Sequence, residues 1–119
     1  MSRGRAAALE RLGHIQEAAA AIAGYAGRSR AEFDRDPALR DAILYQVVVI
    51  GEAVKAALAA DPTLAAALPD IEWSPMARMR DRVTHHYWTT DREVVWATAT
   101  VAIPELRQAL ASAIARLRA

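Results

Sequence analysis

Residues 36–60, DPALRDAILYQVVVIGEAVKAALAA, decide the fold of this 119-residue chain. Asp36 before Pro37 is a typical helix start, because the carboxylate can cap backbone N–H groups and proline suits the first turn. Apolar residues then recur at helical spacing on one face: Leu39, Ile43, Val47, Ile50, Val54 and Ala57. A second face contains Leu44, Val48 and Gly51. The pattern predicts a central helix buried on two sides, one of which could contact a second subunit.

Alanine- and leucine-rich segments on both sides of this stretch favour further helices. We predict a first helix over about 5–25 and a second flanking helix over about 74–87, which starts at a Ser-Pro pair. A last helix starts near residue 91. Pro104 kinks or splits that helix, because proline removes a backbone donor and clashes with the preceding turn. The predicted fold is therefore all-α, a compact bundle of four to five helices.

Length and composition indicate a single domain over residues 1–119. Hydrophobic residues make up 54% of the chain and charged residues 24%, as in globular proteins. The absence of cysteine excludes a disulfide scaffold and a thiolate metal site, and favours a cytoplasmic location. No apolar run approaches the length that crosses a bilayer, and the first residues do not resemble a signal peptide, so no membrane association is predicted.

The overall charge is close to neutral, with 15 basic and 14 acidic residues and a net charge of +1. Dedicated nucleic-acid-binding proteins usually carry a clear basic excess. Any contact of this chain with RNA must therefore be local, transient, or assembled from more than one subunit.

The stretch Arg80-Asp81-Arg82-Val83-Thr84-His85-His86-Tyr87 combines residue types that suit phosphodiester chemistry. A guanidinium such as that of Arg80 can hold a phosphate through two parallel hydrogen bonds. An imidazole such as that of His85 can move protons near neutral pH. The phenol of Tyr87 is a candidate for covalent modification. Tyr25 ends the first helix and Tyr45 lies in the central helix, which is predicted to be buried, so neither is the expected modification site.

The three motif residues do not converge on one regular helix. Arg80 and Tyr87 share a face, whereas His85 lies about 140° away from Arg80 because successive residues turn by about 100°. Either the last helical turn opens, or the same motif of a second subunit completes the site across a two-fold axis. Asp81 is four residues before His85, so its carboxylate could hold one tautomer of the ring. The same negative charge would repel a phosphate.

Other candidates are weaker. His85 and His86 are adjacent and point apart on a helix, so no metal site is predicted. Gly51 is expected to permit a close approach between helices. Glu52 could reach the motif or lie on the surface. The tryptophans are expected to be core or interface anchors, and one of them also follows the motif directly and could stack on a base: Trp73, Trp88 and Trp96.

The chain resembles the HepT toxins, a branch of the HEPN superfamily of all-helical ribonucleases. Arg80, His85 and Tyr87 carry the resemblance, and Asp81 stands where the family commonly has asparagine. Segments outside the motif are also similar to the family pattern, and together they extend over nearly the whole chain: Ile50-Gly51-Glu52-Ala53, Trp73, Asp91, Trp96 and Ile103-Pro104-Glu105-Leu106.

The resemblance implies a metal-independent endoribonuclease toxin of a type VII-like toxin–antitoxin system, active as a homodimer whose two motifs face a shared cleft. Arg80 would clamp the scissile phosphate, and His85, oriented by Asp81, would be the general base or acid on the ribose 2′-hydroxyl. No cofactor is expected in this chain. ATP would be used by a cognate MNT-type nucleotidyltransferase antitoxin, which transfers AMP to Tyr87. The alternative is a non-catalytic helical partner subunit of such a transferase.

Overall fold

The structure is a computed structural model that describes residues 2–86 and 89–118. The described residues form seven α-helices and a π-helical turn, with no strand: α1 (Arg3–Ala26), α2 (Arg30–Arg35), α3 (Pro37–Ala60), α4 (Leu64–Ala67), α5 (Trp73–His86), α6 (Arg92–Ala97), the π-helical turn (Thr98–Ala102) and α7 (Ile103–Arg118). Helix α6, the π-helical turn and α7 follow one another without a break and form one long rod. The predicted all-α bundle is confirmed, with four long rods and two short helices.

Helix α3 is the centre of the bundle, with α1 and α5 both packed against it. Both of its predicted apolar faces contribute buried residues, including Ile43 and Val54 on one face and Leu44 on the other. Full burial of one such aliphatic side chain contributes roughly 1.5–3 kcal/mol. Tyr45 differs from the expectation, because it is 66% exposed although it lies in this central helix. One strip of α3 therefore remains open to the outside of the subunit.

By length and composition alone, α3 is also apolar enough to cross a membrane. The prediction that no apolar run reaches this length was therefore wrong. The same helix packs against α1 and α5 and buries Ile43 and Val54 completely. Such contacts are those of a core helix in a globular bundle.

Local capping explains where several helices begin. Asp36 Oδ1 accepts hydrogen bonds from the first backbone N–H groups of α3, at 3.0 and 3.3 Å. Ser29 and Glu32 form a reciprocal capping box at the start of α2. Asp91 Oδ1 accepts from the N–H of Glu93 at 2.7 Å and caps α6. The predicted starts of α3 and α6 are confirmed.

The last rod changes its geometry directly before Pro104. The N–H of Ile103 bonds to the carbonyl of Thr98, five residues earlier, and Pro104 then occupies the first turn of α7, where a missing N–H is tolerated. The hydroxyls of Thr98 and Thr100 each donate to the backbone carbonyl four residues earlier, at 2.7 and 2.8 Å. The predicted interruption at Pro104 is confirmed, and it takes the form of a π-helical turn.

Two of the three tryptophans anchor the packing of the bundle. The ring of Trp96 lies 5.0 Å from that of Phe33 and joins α6 to α2. The guanidinium of Arg30 covers both rings at 5.8 and 5.9 Å. Trp73 is buried, and its indole N–H donates to a backbone carbonyl at 3.4 Å. Trp88 lies outside the described residues.

Candidate active site

The motif arginine lies where α5 crosses α3, and Gly51 makes that crossing possible. A Cβ atom added at Gly51 would lie 2.1 Å from Cβ of Arg80, 2.7 Å from its Cγ and 3.2 Å from the carbonyl oxygen of Met76. The first two distances are far below van der Waals contact, so a larger residue fits only if Arg80 or α5 moves. The prediction that Gly51 permits a close helix–helix approach is confirmed. The stem of Arg80 consequently runs along the surface of α3.

Gly51→Ala is expected to destabilise the protein by about 1–3 kcal/mol, because the methyl group overpacks the crossing. Urea unfolding followed by circular dichroism measures this loss. Gly13→Ala in α1 is the matched control, because nothing lies within 4 Å of a Cβ at that position. There alanine should stabilise the helix by roughly 0.8–1 kcal/mol. Equal stability of Gly51→Ala and the parent would contradict the close crossing.

Two carboxylates hold the guanidinium of Arg80. Nη2 forms an ion pair with Oε1 of Glu52, and Nη1 donates to Oδ1 of Asp81 at 2.9 Å. The hydrogen bond to Asp81, together with the negative charge of Glu52, raises the pKa of Arg80 above its ordinary value. Nε is buried and has no hydrogen-bond partner among the described residues. Glu52 thus reaches the motif, and the guanidinium is held in one orientation.

The Asp81 carboxylate joins the motif to a second cation on α3. Oδ1 accepts a hydrogen bond from Nζ of Lys55 at 2.6 Å, in addition to the bond from Arg80. The bond from Lys55, followed by that from Arg80, lowers the pKa of Asp81 below its usual range. Within the described part of the chain, Asp81 makes no hydrogen bond or ion pair with His85. The predicted contact between Asp81 and His85 was therefore wrong.

The physical reason is competition for one carboxylate. Lys55 and Arg80 each offer a full positive charge to the negative carboxylate, and hydrogen bonds between two charged groups are short and strong. Lys55 is the site residue that sequence reasoning missed. It lies one helical turn after Gly51, on the face already predicted to meet a neighbouring helix, and this spacing was the available signal.

His85 lies in the last turn of α5 and is exposed. Helix α5 keeps α-helical geometry through His86, so the last turn does not open before that residue. Arg80 and His85 therefore point in directions about 140° apart within one subunit. The rings of His85 and His86 lie 6.5 Å apart. Tyr87 falls outside the described residues. In residues 2–86 and 89–118, no three imidazole or carboxylate side chains cluster as metal ligands would.

The chain after the motif is attached to the start of α3. The carbonyl of His86 accepts hydrogen bonds from the hydroxyls of Thr89 and Thr90, at 3.1 and 3.2 Å. Nη2 of Arg40, in the first turns of α3, donates to the carbonyl of Thr90 at 3.1 Å. These contacts fix the end of the motif helix relative to the central helix. Sequence reasoning did not find them, because each residue by itself looks like ordinary surface.

Comparison with known proteins places this geometry in a family. The family model described as "Ribonuclease HepT-like" matches residues 15–113, which include the whole motif. A protein of Caldanaerobacter subterraneus subsp. tengcongensis, named "Putative RNase TTE0752", is 32% identical over 94 residues, covering 79% of this chain and 81% of that protein. A protein of Methanocaldococcus jannaschii, named "Putative RNase MJ0127", is 36% identical over 73 residues.

The coverage of the relatives is uneven. The match to the M. jannaschii protein covers 61% of this chain and 58% of that protein, less than two thirds of its length. A protein of Thermococcus cleftensis named "Probable ribonuclease HepT" is 46% identical over 39 residues, which are 33% of this chain and 36% of that protein. No solved structure matches the chain significantly. The family match extends over most of the chain, and the chain therefore belongs to the HepT-like ribonuclease family.

Proposed function

We propose that this protein is a metal-independent endoribonuclease that cleaves RNA with Arg80 and His85. The observation that carries the proposal is that α5 presents both a guanidinium and an exposed imidazole. The guanidinium is held in place by two carboxylates. Membership of the HepT-like ribonuclease family and the RNase names of the relatives support RNA as the substrate.

The proposed reaction needs only the chemistry of these two side chains. His85 removes the proton of a ribose 2′-hydroxyl, and the resulting oxygen attacks the adjacent phosphorus. The bond to the 5′-oxygen breaks, and that oxygen takes up a proton from water, which leaves a 2′,3′-cyclic phosphate and a 5′-hydroxyl end. His85 returns its own proton to the solvent before the next cycle. Each terminal nitrogen of Arg80 uses one hydrogen for a carboxylate, which leaves one on each for the phosphate. These two donors can stabilise the charge that develops in the transition state.

The proposal includes a symmetric homodimer. Arg80 and His85 diverge on a regular helix, so Arg80 of one subunit and His85 of the other are paired across a two-fold axis. A surface groove of about 660 Å³ lies between α1 and α3, and Glu52, the ion-pair partner of Arg80, is one of its lining residues. Its lining includes the exposed Tyr45 and the half-buried Val48 and Val49. This open strip of α3 supports a subunit interface that is continuous with the site.

A gel assay tests the nuclease. Purified protein is expected to cut single-stranded RNA into fragments with cyclic phosphate ends, and His85→Ala is expected to leave the RNA intact. Because His85 is exposed, its removal should not change the circular dichroism spectrum or the unfolding midpoint. Cleavage by His85→Ala at the parent rate would contradict the assignment. Intact RNA with the unmodified parent would contradict the activity itself.

One further candidate is a non-catalytic helical partner subunit of a nucleotidyltransferase. It is favoured by the two carboxylates that already occupy Arg80 and by the net charge of +1. Under this alternative the purified protein leaves RNA intact even when mass spectrometry shows no AMP on any tyrosine. The gel assay with a mass measurement of the same sample therefore separates the two functions.

Regulation belongs to the same proposal. A cognate MNT-type nucleotidyltransferase transfers AMP from ATP to Tyr87, in a type VII-like toxin–antitoxin system of the cytoplasm. The added phosphate and nucleoside would block the RNA cleft by bulk and by charge repulsion. Tyr87 is within the residues matched by the family and directly follows the end of α5.

Co-expression with the cognate transferase is expected to add the mass of AMP to Tyr87 and to stop RNA cleavage. Tyr87→Phe should fold and dimerise, because only a hydroxyl is lost, and should escape this inhibition. Tyr45→Phe is the matched control, because Tyr45 is 66% exposed and therefore also accessible to an enzyme. Peptide mass spectrometry locates the modification. AMP on Tyr45, or inhibition of Tyr87→Phe with AMP elsewhere on the chain, would contradict this assignment.

A further inference from the structure

Helix α5 carries a second set of basic side chains on the side away from Arg80. Arg78, Arg82 and His85 follow one another at spacings of four and three residues, so they lie within about 60° on the helix surface. All three are exposed. Among the described residues Arg82 has no ion-pair partner, and the hydrogen bond of Arg78 is to the hydroxyl of Ser74 at 3.0 Å. We call Arg78, Arg82 and His85 the α5 stripe.

The α5 stripe concentrates the positive charge of the chain near His85. Residues 73–86 contain three arginines and one aspartate, a net charge of +2 with neutral histidines, whereas the whole chain has +1. All other residues together therefore carry a net charge of −1. Glu52 and Asp81 offset the cations of Arg80 and Lys55 through ion pairs. Near His85, the positive charges that have no acidic partner among the described residues are therefore those of Arg78 and Arg82.

We propose that Arg78 and Arg82 bind the phosphates of the RNA strand that leads to His85. This inference rests on the proposed RNA cleavage and separates two roles, since Arg80 and His85 act at the scissile phosphate, whereas Arg78 and Arg82 hold the strand. Arg78 and Arg82 are four positions apart and therefore about 6 Å apart along the helix axis, comparable with the spacing of neighbouring phosphates in a strand. Contacts of this kind read the backbone and not the bases. A chain of near-neutral charge can thus bind RNA through one local strip.

The test is binding of a labelled single-stranded RNA with 2′-O-methyl riboses, which cannot be cleaved through the 2′-oxygen. The double variant Arg78→Ala/Arg82→Ala is compared with Arg107→Ala/Arg118→Ala, two exposed arginines of α7 that have no ion pairs in the described chain. Both variants lose the same charge. Fluorescence anisotropy at several salt concentrations gives the Kd and its salt dependence. The stripe variant is expected to bind about tenfold more weakly at low salt, with a salt slope smaller by about 1.4. The α7 variant should stay close to the parent.

The outcomes separate this inference from the proposed nuclease. If the stripe variant binds the methylated RNA like the α7 variant, the α5 stripe is not the strand contact and the inference is overturned. In that case, loss of cleavage in His85→Ala still supports the nuclease. If the parent neither binds the methylated RNA nor cuts ordinary RNA, both the inference and the proposed function fail.

Discussion

An equal mixture of Arg80→Ala and His85→Ala subunits is expected to recover about a quarter of the parent's RNA cleavage, although each variant alone is nearly inactive. Loss of a general base costs roughly 10²–10⁴-fold in rate. In a mixed dimer, one of the two sites combines the intact Arg80 of one subunit with the intact His85 of the other. Random exchange makes about half of the dimers mixed, so about a quarter of all sites are complete.

The control is a mixture of His85→Ala with the double variant Arg80→Ala/His85→Ala, which contains no complete site in any combination. Light scattering of each sample verifies that it is dimeric, and subunits are exchanged by unfolding and refolding together. A dimeric mixture as inactive as its components would show that both residues act within one subunit. A stable monomer at micromolar concentration would contradict the shared site altogether.

Arg80→Lys is expected to lower RNA cleavage by roughly 10²–10³-fold although it keeps the positive charge, because the transition state loses a preorganised pair of donors. The guanidinium binds Glu52 and Asp81 with separate nitrogens and still presents two hydrogens in one plane. An ammonium has all three hydrogens on one nitrogen and cannot satisfy both carboxylates and grip a phosphate at two points. The variant should fold normally, because the lysine stem can follow the same path over Gly51.

Single-turnover cleavage of a labelled RNA measures this loss. Arg116→Lys is the control, because Arg116 is 57% exposed at the far end of α7, with a 3.4 Å ion pair to Asp70. It should cut RNA at the parent rate. If Arg80→Lys also cuts at the parent rate, Arg80 acts only as an electrostatic attractor, and the two-point clamp is wrong.

The helix starts were predictable because the contacts that determine them are local. Asp36 bonds to backbone groups two and three residues later, and Asp91 to one two residues later. The role of Gly51 was predictable for a related reason, since a glycine amid apolar residues on a helix face indicates close packing. The exposure of Tyr45 was not predictable from the sequence, because it depends on which part of α3 is left uncovered by α1 and α5. Sequence periodicity shows that a face is apolar but not what covers it.

The residues of the site were predictable from the sequence, but their hydrogen bonds and ion pairs were not. Arg80 and His85 stand out by residue type and spacing, yet the partners of Arg80 and Asp81 come partly from α3, 26 residues earlier in the case of Lys55. Helical spacing within α5 indicates only the neighbour of Asp81 four residues later, and it therefore predicted a contact with His85. The bond from Arg40 to the carbonyl of Thr90 joins residues 50 positions apart and left no pattern in the sequence.

The π-helical turn Thr98–Ala102 sets the phase of the last rod. Before it, Trp96 of α6 faces Phe33 of α2, and after it, α7 packs against α1 with Leu110 fully buried. A π-helical turn holds one residue more than the α-helical turn that it replaces. Regular α-helical bonding through the same number of residues would rotate every side chain of α7 by about 100° relative to α6. Leu110 would then leave the core, so the wider turn absorbs the extra residue and lets one continuous rod contact both neighbours.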